Sequence, residues 1–100
     1  MIVVRNVFQL KFGKAKEAIA LWKEGRKIAE RLGDEGPTPR VMTDLVGKFY
    51  TFVIEIEHPS VVDMERESQR TMSQPEWQSW YHRFGELVES GYREIFTVVE

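Results

Sequence analysis

The sequence predicts an α+β, ferredoxin-like fold: β-α-β-β-α-β, a four-stranded antiparallel sheet with two helices on one face. Three observations carry it. Residues 2–12 show a period-two pattern with one strongly apolar face; residues 14–32 switch to a helical period; and the chain then repeats strand, helix and strand in the split arrangement that places two βαβ halves in one sheet.

In the first strand Ile2, Val4, Asn6, Phe8, Leu10 and Phe12 share one face, and Val3, Arg5, Val7, Gln9 and Lys11 share the other. Gly13 breaks the pattern. Ala15, Ala18, Ile19, Trp22, Gly25, Ala29 and Leu32 then recur every three or four residues, with lysines opposite, which makes an amphipathic helix ended by Gly33. Gly25 falls on the buried stripe and predicts a close approach of this helix to the sheet. Asp34 to Pro39 is a loop by composition. Arg40–Val46 and Phe49–Glu57 read as strands joined across Gly47-Lys48, a hairpin signal.

Tyr50, Phe52, Ile54 and Ile56 give the second hairpin strand an apolar face, so the first and third strands are expected at the centre of the sheet. A second helical region opens at Ser60 with Asp63 three residues on. It breaks near Met72 and restarts at Ser73-Gln74-Pro75-Glu76, with Ser73 as the expected N-cap. Trp77, Trp80, Tyr81, Phe84, Leu87 and Val88 keep the period, Gly91 is expected to close the helix, and Tyr92–Val99 to form the last strand.

The 100 residues support one domain, 1–100, and 42% hydrophobic content is enough for a core. The absence of cysteine excludes disulfides, thiolate metal sites and cysteine nucleophiles. A net charge of −2 gives no electrostatic reason for nucleic acid as partner, although the first fifty residues carry +4 and the last fifty −6. Arg5, Asn6 and Gln9 interrupt the first apolar stretch, and no apolar run approaches the roughly 18 residues that span a bilayer; a cytoplasmic protein without a membrane partner is expected.

Two helices cover only one side of the sheet. The other side is expected to show Val3, Val7, Phe49, Val53, Phe96 and Val98 among Arg5, Gln9, Arg40, Asp44, Glu55 and Glu94. That is more contiguous apolar surface than a soluble monomer usually exposes, so the expected partner is a second copy, packed sheet to sheet with basic and acidic groups pairing across the interface. Val3, Arg5, Val7, Arg40, Phe49, Val53, Glu55 and Phe96 would form that homodimer interface.

The order of elements, the stretch RVMTDLVGKFYTFVIEIEH and above all EWQSWYHRFGELVESGYREIF resemble the dimeric α/β-barrel superfamily over essentially the whole chain, with the small NIPSNAP-like proteins nearest in pattern. The resemblance implies a dimer closed into an α/β barrel. It leaves chemistry open, because members include monooxygenases, haem-degrading enzymes, isomerases and proteins without known activity. Haem-degrading members use a strand asparagine, a tryptophan and a helix histidine; here Asn6 and Trp77 or Trp80 match, whereas His82 falls on the outward side of its helix, which leaves His58 at the strand end as a remote substitute. No cofactor is expected.

Metal chemistry lacks a ligand set: only His58 and His82 occur, without metal-site spacing, and parity puts Glu55 and Glu57 on the opposite sheet face from His58. Asn6 lies on an otherwise apolar face and requires a hydrogen-bond partner, either nearby backbone or water, or a ligand in a cavity between sheet and helices. Trp22, Tyr50, Trp77 and Tyr81 would line such a cavity, with Thr43 and His58 near its edge; the same aromatics equally suit a plain core. Three functions follow: a small-molecule-binding homodimer, a cofactor-independent monooxygenase or isomerase acting on an aromatic or polyketide-like compound, or a structural module with no cavity.

Overall fold

The computed structural model describes every residue, Met1–Glu100. The chain runs β1 (Ile2–Leu10), α1 (Ala15–Arg31), β2 (Arg40–Thr43), β3 (Thr51–His58), α2 (Val61–Met72), α3 (Pro75–Gly85) and β4 (Val88–Thr97). All strand pairs are antiparallel and the sheet order is β2-β3-β1-β4. The two strands with the most apolar faces are therefore central, as alternation predicts.

The core sits between sheet and helices. Leu10, Phe52 and Ile54 rise from the sheet to meet Ala18 and Ile28 of α1 and Trp80 and Phe84 of α3. Phe84 is its hub, with ring centroids 5.5 Å from those of Phe8, Phe52 and Trp80. Gly25 is bare for a different reason from the one expected: the group that approaches it is the Trp80 indole of α3, not the sheet.

Three further boundaries differ from the sequence reading. The β2–β3 connection is a seven-residue loop, Asp44–Tyr50, rather than a tight hairpin. The Asp44 carboxylate accepts the Thr51 N–H at 3.1 Å and Tyr50 takes a positive φ of 58°. The third helix starts with Gln74 at its N-cap and Pro75 in its first turn, while Ser73 ends α2 and its hydroxyl donates to the Arg70 carbonyl at 3.1 Å.

That helix also stops at Gly85, not Gly91. Leu87 and Val88 keep a helical period, but the edge of β1 competes for their backbone: the Lys11 N–H donates to the Leu87 carbonyl at 2.8 Å and Val88 pairs with Leu10. Pairing with a central strand satisfies backbone groups that a longer helix would leave β1 without. Gly91 thus lies inside β4, opposite Phe8, where a Cβ would stand 3.0 Å from the Phe8 ring and 3.1 Å from the Val7 carbonyl.

No helix is long and apolar enough to cross a membrane.

Candidate functional site

Between the sheet and α2 lies a cavity of about 550 Å³ that opens to solvent on one side. Its floor comes from alternate residues of the sheet: Val4 and Asn6 of β1, Ile54, Ile56 and His58 of β3, and Gly91 and Arg93 of β4. Trp22 of α1 and Trp77, Trp80 and Tyr81 of α3 supply an aromatic wall. Met64, Ser68 and Met72 of α2 form the roof.

The cavity exists because α2 does not collapse onto the sheet. None of its residues is fully buried, and it is held chiefly at its ends. Ser60 caps the start, accepting the Asp63 N–H at 3.2 Å. At the other end the Arg70 guanidinium donates to the Gly33 carbonyl at 2.6 Å, and Gln78 of α3 donates to the Met72 carbonyl at 2.8 Å.

Polar groups enter from three directions. Asn6 stands opposite Arg93 across β1 and β4, and the Arg93 Nε donates to Asn6 Oδ1 at 2.7 Å. Arg26 of α1 pairs with Asp34 at 3.2 Å, and Asp34 also accepts the Gly36 N–H at 2.8 Å, which fixes the loop at the cavity rim. His58 ends β3 with only 6% of its surface exposed, and its Nδ1 is buried with no hydrogen-bond partner. No group of three or more His, Cys, Asp or Glu side chains is placed to hold a metal ion.

The opposite sheet face is uncovered and organised in rows. Met42, Val53, Val7 and Tyr92 form an apolar row across all four strands, flanked by a charged row of Arg40, Glu55, Arg5 and Glu94. Arg5 and Arg40 both pair with Glu55, at 2.8 and 3.1 Å, so the charges expected to meet across an interface already meet within the chain. Hydrogen bonds from Arg5 and then Arg40 hold the Glu55 carboxyl below its ordinary value of 4.5. Arg5 also lies 5.9 Å from the Phe96 ring centre.

Comparison with solved structures matches this architecture along its length. A NIPSNAP family protein from Agrobacterium tumefaciens superposes with a TM-score of 0.85 at 22% identity, covering 99% of this chain and 86% of that one. An uncharacterised NIPSNAP domain protein from Burkholderia xenovorans gives 0.86 at 17% identity over 99% and 95% of the two chains. The fold is that of the NIPSNAP proteins. A putative antibiotic biosynthesis monooxygenase from Nitrosomonas europaea shares it at 12% identity, with a TM-score of 0.75 over the whole of both chains. No protein-family model and no curated protein matches the sequence.

Of the seven pocket residues read from the sequence, the NIPSNAP-type fold brings five together around one cavity: Asn6, Trp22, His58, Trp77 and Tyr81. Thr43 and Tyr50 stand elsewhere. Thr43 borders a separate concavity of about 750 Å³, and Tyr50 packs edge-on against Phe12 with ring centroids 4.7 Å apart. Both remain on the helix-covered side, Thr43 paired with Phe52 and Tyr50 packed against the core, but at the end of the sheet beyond the cavity.

Sequence reasoning missed Arg93, Arg26 and Asp34. The expected strand Tyr92–Val99, with Glu94 and Phe96 on the uncovered face, already puts Arg93 on the helix side by alternation, and the pairing with Asn6 bears that out. His82 is exposed and faces Glu86 at 3.5 Å, on the outward side of α3 as its period predicts.

Proposed function

We propose that this protein is a homodimer that binds a small, largely apolar molecule in the cavity beneath α2. The observation that supports it best is the combination of all three tryptophans with a few polar side chains, Asn6, Arg93 and His58, around one solvent-connected space. Pockets of this size and make-up suit apolar ligands oriented by one or two polar anchors. A purely structural module has no need of a roof helix held off the sheet.

Native mass spectrometry of the purified protein, followed by denaturation of the same sample, tests both parts. The expected result is a dimer that releases a small organic mass when denatured. A monomer would overturn the dimer, and failure of every apolar probe to bind would overturn the cavity's role.

A second reading is a cofactor-independent monooxygenase or isomerase for an aromatic or polyketide-like compound. It draws on the full-length likeness to the putative antibiotic biosynthesis monooxygenase and on Asn6, His58 and Tyr81 standing ready to orient a substrate. On this reading Asn6→Ala abolishes turnover of such a compound while the protein keeps its fold and assembly; unchanged turnover would exclude it.

A further inference from the structure

Arg93 is the odd member of its class. Seven of the eight arginines stand in salt bridges to a carboxylate. Arg93 has none, and it is the one that borders the cavity on β4. Its only side-chain bond in the chain is from Nε to Asn6 Oδ1, at 2.7 Å. That bond orients the guanidinium and leaves both Nη groups as donors. It also occupies one lone pair of Asn6 Oδ1 and leaves the Asn6 amide NH₂ to donate beside it.

The other charges lining the cavity each have a partner, Arg26 in Asp34 at 3.2 Å and Glu67 in Arg70, outside the cavity, at 3.0 Å. The cavity therefore presents one uncompensated charge, positive and held in a planar fork, of the geometry that takes a carboxylate in two parallel bonds.

The second polar anchor lies at the far end. Asn6 pairs with Ile54, and His58 is four residues farther along the same face of β3, about 13 Å at strand rise. Between them the floor is Val4 and Ile56. Because Nδ1 of His58 is shut away without a partner, Nε2 is the atom left to meet a ligand.

We infer that the molecule bound here is an elongated apolar acid. Its carboxylate is held by the Arg93 fork and the Asn6 amide, and its apolar body runs over Val4 and Ile56 toward His58. This rests on the small-molecule reading above and gives that site its ligand class.

The test uses decanoate and decanol, titrated below micellar concentrations into the purified protein. The fluorescence of Trp22, Trp77 and Trp80 reports occupancy, since all three line the cavity. Decanoate is expected to bind about tenfold or more tightly than decanol, as charge-assisted bonds require. Arg93→Gln erases that preference with decanol unaffected, and Arg93→Lys, which keeps the charge but not the fork, restores part of it. Equal binding of acid and alcohol, indifferent to Arg93→Gln, overturns the acid and leaves the cavity reading intact. No fluorescence response to either probe, with no mass adduct by native mass spectrometry, overturns both.

Discussion

Trp80 of α3 lies directly against the bare Cα of Gly25 in α1: a Cβ there would stand 2.5 Å from Cζ2 and 2.9 Å from Nε1 of the indole. The indole N–H also donates to the Leu21 carbonyl at 2.6 Å, one turn earlier on the same helix. Shape and hydrogen bond together fix how α3 crosses α1, and so where the aromatic wall of the cavity stands.

Gly25→Ala sets two effects against each other. Alanine favours the helix by about 1 kcal/mol over glycine. Overpacking a filled site costs about 1–3 kcal/mol, and here the obstructing atoms belong to a ring that is 2% exposed and hydrogen-bonded in place. The clash wins: urea unfolding of Gly25→Ala is expected to show net destabilisation. Gly85→Ala is the control, because nothing lies within 4 Å of its Cβ position.

Glu55 makes stability depend on pH. Its carboxyl titrates lower in the folded chain than its ordinary 4.5 because Arg5 and Arg40 bond to the ionised form. The unfolded chain therefore takes up the proton first as pH falls. The contribution is complete above the unfolded value and is lost as pH falls through the lower, folded one. Denaturation midpoints measured down through this acid range should fall less steeply for Glu55→Gln than for the native protein. Parallel curves would mean that the two guanidinium bonds do not persist in solution.

The roof helix is expected to open before the rest of the fold. With no residue of α2 fully buried, its order depends on the Ser60 cap and the Arg70 tether to Gly33. Ser60→Ala removes a cap of about 1 kcal/mol, which raises local opening about fivefold. Amide exchange across Val61–Met72 should speed by that factor while exchange in β1 and β3 stays unchanged, the signature of a sub-global opening. Uniform acceleration of all amides would show instead that α2 unfolds only with the whole domain.

The fold was legible because alternation and helical period are local signals, and β1, α1 and the apolar face of β3 carry them without conflict. What the sequence hid was settled by distant partners. Leu87 and Val88 continue the period of α3, yet the open edge of β1 recruits them as strand; no window around them contains that edge. Arg93 was hidden for a second reason: its role depends on facing Asn6, 87 positions away. His58 was found by parity alone, but its unpartnered Nδ1 is a property of packing.

The uncovered sheet face yields the last prediction. Val53 sits at the centre of the apolar row, flanked by Met42 on β2 and Val7 on β1, with Tyr92 beyond on β4 and Phe96 four residues farther along that strand. Tyr92 is 58% and Phe96 47% exposed, which for side chains of this size is a large area to leave in water. Burying it against a second copy would remove that area, while Arg5 and Arg40 in the charged row beside it are already paired with Glu55. Sedimentation equilibrium should therefore find the native protein dimeric. Val53→Lys sets two cations against the same row of the partner and should shift the protein to monomer, with the far-ultraviolet circular dichroism of the sheet retained. A native protein that sediments as a monomer, or a Val53→Lys variant that remains dimeric, would show that this face is not the interface.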